Sequence, residues 1–377
     1  MNQLVHRLRS LAAMAVSGAL LGSLAVVAVP GIASAAGPTC PITVHESGST
    51  TVYPALVQAQ AGFQTASGCT LSLVASGSGA GLSDLLAGTV DIAASSRPLK
   101  AGTEANSLWA WKVGGDAMVL AVKASTNMNF ITNITTSQVK SIYEGTLTNW
   151  NALGGPNAPI VPRSRIIGSG SRDDLLRLFG IADTSEQATI TATGLSRFQT
   201  SQDEADAVCT NDFQIVYTSL ANLQLFGPAG QGCLKALTLD NIAPSVVAVQ
   251  NGTYPAPRTL FLAMRQSSFA GSSPSDSGLT KAQDLVNYML SAPGQAAVGA
   301  VGFVQTAVPS GKPIVDFDIN TDGAIGLLDI GQITGRWGQA QTCKGWIRAD
   351  VNNDGSIGLL DIGQITGRWG QTGFAHP

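Results

Sequence analysis

The distribution of apolar residues divides the chain into three parts. Leu11 to Val29 is an almost continuous apolar run. From Cys40 to about Gly311, short β-like runs alternate with helix-like stretches, which predicts an α/β fold with largely parallel sheets. The C-terminal part instead contains two identical copies of the segment GLLDIGQITGRWGQ, the second starting 32 positions after the first. Such identity indicates a duplicated structural unit.

The first part has the organisation of a secretory signal peptide. His6, Arg7 and Arg9 form a basic start, the apolar run follows, and Ala33-Ser34-Ala35 fits the small-residue cleavage pattern. We therefore place a signal peptide at residues 1–35 and expect an exported protein.

A membrane anchor is the competing interpretation, since an apolar-rich segment of this length could just span a bilayer. Pro30 and the cleavage pattern follow immediately, which favours removal of the segment. Cys40 is preceded by Gly37-Pro38-Thr39 rather than by a lipobox. We expect a soluble mature protein without a lipoprotein anchor, located in the periplasm, at the cell surface or outside the cell.

The charge balance argues against one class of partner. The formal net charge is −3, and loss of the leader removes two arginines and no acidic residue, which leaves −5. Nucleic acid is bound by basic surfaces. We therefore expect no nucleic-acid partner.

The five cysteines lie in a compartment where disulfides can form. Cys40 and Cys69 each precede a strand-like run, so they lie side by side if those runs are neighbouring parallel strands. Cys209 and Cys233 could pair around the segment between them or remain buried thiols. Cys343 is left over, so it is either free or intermolecular.

A calcium-loop sequence precedes the main part of each C-terminal copy. Ca²⁺ requires six to eight oxygen ligands, which a loop supplies from positions one, three, five, seven and twelve, with a glycine at six for the sharp turn. Glycine at position nine leaves that place to a water. The predicted ligands are Asp318, Asn320, Asp322, Ala324 and Asp329 in the first loop, and Asp350, Asn352, Asp354, Ser356 and Asp361 in the second.

Two features distinguish these loops from ordinary EF-hands: aspartate at position twelve, and no convincing helix before the loop. Both resemble dockerins, whose paired repeats of one loop and one helix bind a cohesin domain. The resemblance covers about residues 315–373, and we place an all-α dockerin-like domain at 313–377. It implies two Ca²⁺ ions and a cohesin-like partner. The alternative is a pair of Asp/Asn-rich turns without metal.

Apolar residues after each loop recur at helical spacing, which predicts mainly a core stripe. This stripe consists of Ile330, Ile333, Trp337, Ile362, Ile365 and Trp369. A second set could instead face a partner, and it consists of Leu327, Leu328, Arg336, Leu359, Leu360 and Arg368.

Three strand-to-helix junctions in the central part are rich in hydroxyl and glycine residues: Ser47–Thr51, Ser76–Gly81 and Arg165–Ser171. The free N–H groups and positive dipole end of a helix N-terminus attract anions. Three such ends together would form a cage for an oxyanion. Taken singly, each junction is more typical of an ordinary cap or turn.

Together with Val90–Leu99, these junctions resemble the phosphate-binding proteins of ABC importers, which have the two-lobed type II periplasmic-binding fold. The resemblance covers nearly all of residues 40–310, including Gly115-Asp116-Ala117. It implies a domain at 36–312, with lobe one at about 40–121 and 259–312 and lobe two at about 122–258. The ligand-binding residues that it implies are Ser49, Thr50, Thr51, Ser78, Ser96, Arg165, Ser169, Gly170 and Ser171.

One position departs from the family pattern. Ser96 stands where relatives often have an aspartate that accepts the proton of HPO₄²⁻ and thereby rejects sulfate. A carboxylate facing an oxyanion without a proton opposes two desolvated acceptors. We expect phosphate as the ligand, with Asp173 or Glu46 as substitute acceptors; sulfate or another tetrahedral oxyanion is the alternative.

Arg165 is the expected charged ligand, because its planar fork suits bidentate binding of oxygens. The alternative is a surface arginine paired with Asp173 or Asp174. Arg97 and Arg172 are expected at the rim of the site.

Three functions follow from these features. The first is a non-catalytic phosphate receptor, serving an ABC importer permease and tethered to a partner by the calcium module. The second is a phosphatase on the same scaffold, although the histidines His6, His45 and His376 form no evident Ser-His-Asp constellation, and no metal-ligand cluster is evident outside the loops. The third is an adhesive protein.

Overall fold

The computed structural model describes residues 42–226, 232–268, 279–307, 317–319, 324–338, 349–352 and 356–372. The predicted signal peptide, Cys40, Cys343 and the loop residues Asn320, Asp322 and Asp354 lie outside these ranges.

Strands and helices alternate through the central part, as the apolar pattern predicts. The strands are β1 Thr43–Gly48, β2 Thr70–Val74, β3 Ile92–Ser95, β4 Leu108–Ala117, β5 Val119–Lys123, β6 Asn133–Ile134, β7 Val161–Pro162, β8 Gln214–Thr218, β9 Leu234–Ala236, β10 Thr238–Leu239 and β11 Pro257–Arg265. The helices up to residue 226 are α1 Tyr53–Ser67, α2 Ser78–Ala87, α3 Thr103–Ser107, α4 Thr136–Tyr143, α5 Gly170–Phe179, α6 Asp183–Ala192, α7 Ser201–Thr210 and α8 Leu220–Phe226. The later helices are α9 Val246–Gln250, α10 Leu279–Leu290, α11 Ala292–Ala300, α12 Leu327–Thr334 and α13 Leu359–Thr366.

The first sheet has the order β2-β1-β3-β11-β4. β1 pairs in parallel with β2 and β3, whereas β11 runs antiparallel to β3 and β4. Helices α1, α10 and α11 share one apolar core with this sheet, and α2 packs with β3, β4 and β11 in another. The sheet is covered on both faces, which explains its near-continuous apolar strands. We call this part lobe one.

The second sheet has the order β7-β8-β5-β9, and its core is separate from that of lobe one. β5 runs antiparallel to β8 and β9, while β7 and β8 are parallel. The α/β prediction is confirmed, but both sheets are mixed rather than largely parallel, because strands that cross between the sheets enter them in the opposite direction. We call this part lobe two.

Two adjacent crossings join the lobes. β4 ends at Ala117 and β5 begins at Val119, while β11 begins at Pro257. The crossings lie together, since the Met118 N–H donates to the Ala256 carbonyl at 2.9 Å. Two neighbouring strand connections of this kind form a hinge between the lobes.

The cysteine predictions are answered in part. A Cys209–Cys233 disulfide links α7 to the residue before β9, so that pairing is confirmed. β1 and β2 are neighbouring parallel strands, with Val44 opposite Leu71. Cys69 is buried at the start of β2.

Near the C-terminus, α12 and α13 pack around one small core with Ile333 and Ile365 at its centre. The two repeats bond reciprocally: the Gly338 N–H donates to the Ile357 carbonyl and the Gly370 N–H to the Ile325 carbonyl, both at 2.9 Å. The isoleucine stripe therefore forms the core, as predicted.

The prediction that the two tryptophans belong to this core stripe is wrong. Trp337 and Trp369 are 55% and 53% exposed. Their helices end at Thr334 and Thr366, so each tryptophan lies in the following turn and leaves the helical stripe. The four leucines proposed as partner-facing are also exposed.

Among the described residues, no helix combines the length and apolar character that a membrane span requires.

Candidate oxyanion site

Each of the three glycine- and hydroxyl-rich junctions precedes or enters a helix. β1 continues to Gly48, and α2 begins at Ser78, within the second junction. Gly48 extends the ladder because it fits against Ala94, where an added Cβ would lie 2.2 Å from the carbonyl oxygen. Of the predicted binding residues, Ser78, Gly170 and Ser171 lie in first helical turns, and the others lie in the connections that follow β1 and β3 or precede α5.

The N-terminal ends of α1, α2 and α5 are not capped in the ordinary way. Their N-cap residues are Val52, Gly77 and Ser169, and none of the three makes a side-chain cap hydrogen bond. In contrast, Thr135 and Thr200 cap α4 and α7. The first turns of these three helices therefore have backbone N–H groups without an N-cap side-chain acceptor; α3, α6 and α11 share this property, so it is the meeting of the three junctions, described next, that favours an anion site.

Residues from the two lobes meet at these helix ends. The Thr51 and Ser171 hydroxyls are 3.1 Å apart. The Gly79 N–H donates to the Gly168 carbonyl at 2.9 Å. Gly170 lies so close to lobe one that an added Cβ would be 2.2 Å from the Ser78 Oγ. The junctions therefore converge between the lobes.

The serines of lobe one are tied to each other. The Ser96 N–H donates to the Ser78 Oγ at 3.2 Å, and the two hydroxyls are 3.4 Å apart. The Ser49 Oγ accepts from the Thr51 N–H at 3.2 Å. The structure brings all nine predicted residues together, and all are buried except Thr50, which is partly exposed.

Arg165 is buried in this cluster and contacts both lobes. Its Nη2 donates to the Thr50 Oγ1 at 2.9 Å and to the Gln199 carbonyl at 2.7 Å, its Nη1 to the Ser201 Oγ at 2.8 Å, and its Nε to the Phe198 carbonyl at 3.3 Å. A guanidinium has five N–H donors, so one Nη1 proton is left over. This arrangement offers an oxyanion one donor rather than the bidentate fork expected from the sequence.

The alternative role for Arg165, a surface ion pair, does not fit the structure. Arg165 is 1% exposed. Asp173 instead pairs with Arg97 and Lys100, at 2.9 and 2.7 Å, and Asp174 pairs with Arg177 at 2.8 Å.

The expected rim arginines are buried in ion pairs. Arg97 binds both carboxylate oxygens of Glu104, at 2.8 and 2.9 Å. Arg172 binds Glu186 and Asp183 within lobe two. The prediction that they line the rim is wrong: Arg97 and Arg172 are 3% and 2% exposed, and local carboxylates pair with both.

The two substitute proton acceptors have different surroundings. Asp173 is neutralised by its two cations, as described above. Glu46 accepts one hydrogen bond, from the Ala94 N–H at 3.1 Å, and its second oxygen is buried without a partner. Burial raises the pKa of Glu46 to about 8. At neutral pH this carboxyl keeps its proton, which makes it a donor rather than the carboxylate acceptor that was expected.

Three residues at the site were missed from the sequence. Ser201 accepts from Arg165, while Arg258 donates through Nη1 to the Ser171 Oγ at 2.9 Å and pairs with Asp116. The last two are charges within strands whose other residues are mainly apolar or glycine, and buried charges require partners; Lys112 and Arg265 occur in the same two strands, so the sequence alone does not single out Asp116 and Arg258.

A sequence model of the PBP superfamily domain matches residues 33–293. The chain belongs to this superfamily. This membership agrees with the prediction of a substrate-binding protein without catalytic activity.

Solved structures of the superfamily share the fold. One, from Clostridium perfringens, is described as a phosphate ABC transporter substrate-binding protein with bound phosphate; its identity is 25%, its TM-score 0.60, and the match covers 71% of this chain and all of that one. An ABC-type phosphate transport receptor from Vibrio cholerae is 22% identical with a TM-score of 0.54, covering 70% and 100%. A phosphate-binding protein from Stenotrophomonas maltophilia is 15% identical with a TM-score of 0.52, covering 71% and 91%.

The described part of the calcium loops is built from buried carboxylates. Asp318, Asp329, Asp350 and Asp361 are each at most 2% exposed. Asp329 accepts from the Ile319 and Gly326 N–H groups at 2.6 and 2.7 Å, and Asp361 accepts from the Asn352 and Gly358 N–H groups at 3.1 and 2.8 Å. Ala324, Asn352 and Ser356 are also described. Among the described residues no group of three or more His, Cys, Asp or Glu side chains is arranged to hold a metal, so the two Ca²⁺ ions remain a prediction from the sequence.

Proposed function

We propose that this PBP-superfamily protein is an exported receptor for inorganic phosphate. The observation that carries the proposal is the convergence of three uncapped helix N-termini with serine hydroxyls and one buried arginine. Helix N-termini and hydroxyls bind oxyanions through N–H and O–H donors, and Arg165 supplies positive charge. Two superfamily structures with the same fold are described as ABC phosphate transport proteins, which supports delivery to an ABC importer permease.

Isothermal titration of the mature protein with phosphate tests the site. Arg165→Ala should lower the affinity at least 10-fold, because a hydrogen bond to a charged group contributes about 1.5–3 kcal/mol. Arg265→Ala is a matched control, since Arg265 donates to the Leu85 and Val90 carbonyls away from the site. Absence of heat with phosphate, or equal affinities for both variants, contradicts the proposal.

Sulfate should be titrated in the same way, because Ser96 replaces the aspartate that relatives often have. A hydroxyl both donates and accepts, so Ser96 does not oppose an unprotonated oxyanion as a carboxylate would. We infer weaker discrimination against sulfate than a carboxylate at this position provides. Ser96→Asp should therefore lower sulfate affinity more than phosphate affinity, whereas equal losses contradict the inference.

We further propose that the C-terminal module binds two Ca²⁺ ions and attaches the receptor to a cohesin-like protein. Support comes from the duplicated ligand pattern, the buried aspartates and the exposed leucines Leu327, Leu328, Leu359 and Leu360. The test is calcium-dependent co-purification of the full chain with a cohesin domain. A chain cut before residue 313 is the control; retention of that truncated chain, or indifference to calcium, contradicts the proposal.

A further inference from the structure

A buried ion pair lies directly behind the oxyanion site. Arg258 on β11 and Asp116 on β4 are opposite each other in the strand register. They are 3% and 0% exposed. Both Nε and Nη2 of Arg258 lie 2.7 Å from the Asp116 Oδ2. Opposed side chains on adjacent strands are held close, which fixes this geometry.

The pair belongs to lobe one but bonds to lobe two at both ends. The Arg258 Nη1 donates to the Ser171 Oγ at 2.9 Å, and the Asp116 Oδ1 accepts from the Leu220 N–H at 2.9 Å. Ser171 is in the first turn of α5, and Leu220 begins α8. Both residues of the pair also lie next to the crossings that form the hinge.

Stability of the sheet is a poor explanation for the pair. Removing two charges from water carries a large desolvation penalty, and well-packed apolar residues often replace buried ion pairs without loss of stability. The neighbouring positions of β11, Leu260 and Leu262, are apolar and buried. The distinctive property of Arg258 is therefore its remaining donor, which reaches Ser171.

The direction of that hydrogen bond determines the role of the Ser171 hydroxyl. A guanidinium only donates, so the Ser171 Oγ must accept, and its single proton points elsewhere. Its other described neighbour is the Thr51 Oγ1, at 3.1 Å, on the side where the three helix ends converge. Arg258 thus orients Ser171 as a donor into the site.

Arg165 acts on its neighbours in the same manner. It donates to the Thr50 Oγ1 and to the Ser201 Oγ, so both hydroxyls accept and turn their protons away from it. Two buried arginines therefore donate to hydroxyls of the cluster and orient them. They differ in charge balance, because Asp116 neutralises Arg258.

We propose that Arg258, held by Asp116, is a positioning residue of the oxyanion site that fixes the Ser171 hydroxyl as a donor to the bound anion. The inference rests on the proposed function, since it requires an oxyanion at this site. Because the pair is formally neutral, its contribution is orientation rather than net charge. The preorganised donor costs no reorientation when the anion binds.

A double-mutant cycle tests the proposal by titration with phosphate and sulfate. Arg258→Gln alone would leave the Asp116 carboxylate buried and unpaired, so Asp116→Asn/Arg258→Gln replaces the ion pair by two neutral amides. We expect this pair variant to bind phosphate about 10-fold more weakly, and Ser171→Ala about 10- to 100-fold more weakly. The combined variant should be no weaker than Ser171→Ala, because both changes remove one interaction.

Arg265→Gln is the matched control. Arg265 lies on the same strand and donates to the Leu85 and Val90 carbonyls, away from the site, so its loss should leave affinity within twofold. The melting temperature of each variant shows whether it is folded, and Arg258→Lys, which keeps a donor, should recover part of the affinity.

The outcomes distinguish failure of the proposed function from failure of the positioning role of Arg258. Wild-type protein that binds neither phosphate nor sulfate overturns the proposed function together with this inference. Wild-type binding with an unaffected pair variant, or with losses that multiply in the combined variant, overturns the positioning role alone. Losses that do not multiply support it.

Discussion

At the residue scale, Gly170 shows how closely the two lobes approach. A Cβ at this position would lie 2.2 Å from the Ser78 Oγ and 2.7 Å from the Ser96 Oγ. Real Cβ atoms do not approach so closely, so any larger residue must push α5 away from lobe one. Glycine is required here for close approach rather than for an unusual backbone angle.

Gly170→Ala should therefore weaken phosphate binding strongly, by roughly 10-fold or more if closure costs at least about 1.4 kcal/mol more. Titration gives the affinity, and small-angle scattering shows whether the ligand still compacts the protein. Gly331→Ala is the control for a glycine change, because nothing lies within 4 Å of an added Cβ there and Gly331 lies within helix α12. Wild-type affinity in Gly170→Ala would show that the lobes do not meet at this point.

Two buried glutamates give the protein a pH-dependent stability. Burial raises the pKa of both Glu46 and Glu204 to about 8, and each has one oxygen without a partner. The unfolded chain loses these protons near pH 4.5, whereas the native protein keeps them up to about pH 8. The unfolded state therefore binds fewer protons between these values, so both groups lower stability as pH rises through this window.

Glu46→Gln and Glu204→Gln should remove this loss of stability at high pH, because glutamine does not ionise. Each variant should melt a few degrees above wild type at pH 8.5 but close to it at pH 5, with about 1 kcal/mol shifting the melting temperature by roughly 2–4 °C. Glu144→Gln is a control of opposite sign, because a hydrogen bond from the Ala182 N–H lowers the pKa of Glu144. Equal changes in melting temperature at both pH values would show that ionisation of these glutamates does not control stability.

At the element scale, α5 is tied to lobe one by an ionic bridge separate from the hydroxyls. Arg97, which follows β3, holds Glu104 of α3 and Asp173 of α5, while Lys100 also binds Asp173. Asp173 is on α5 in lobe two, whereas its partners Arg97 and Lys100 belong to lobe one. These ion pairs therefore exist only while α5 lies against lobe one. They stabilise the closed arrangement.

Asp173→Asn should lower phosphate affinity roughly 2- to 10-fold, mainly through faster release, since partly exposed ion pairs contribute about 1 kcal/mol or less. Removing a carboxylate beside an anion site would by itself raise affinity, so a fall identifies the bridge. Stopped-flow release of phosphate measures the rate. An unchanged or slower rate of phosphate release would show that the Asp173 ion pairs do not stabilise the closed arrangement.

The sequence predicts the elements of the site better than its contacts. Periodicity, glycines and hydroxyls locate the three helix starts, because those signals are local. The Arg258–Asp116 pair spans 142 positions, and strand register over that distance is set by tertiary packing that one sequence does not display. The same limit explains Arg165, whose acceptors at Phe198 and Gln199 come from a loop with no distinctive pattern.

At the scale of the whole molecule, the cores of the two lobes and of the C-terminal repeats are separate clusters of buried residues. Each proposed ligand therefore acts on a different core: phosphate between the lobes, Ca²⁺ on the repeats. A ligand stabilises only the unit that binds it, by about 2.7 kcal/mol at 100 times its dissociation constant.

Calorimetry of the full mature chain should accordingly show two transitions with independent responses. Chelation should lower only the transition of the repeats, because four buried aspartates then lack their cation, and phosphate should raise only the transition of the lobes. Asp329→Asn/Asp361→Asn should reproduce the effect of the chelator without changing phosphate affinity. If calcium moves neither transition, the repeats are metal-free turns; if it also shifts phosphate affinity, the two units are coupled and the tether regulates the receptor.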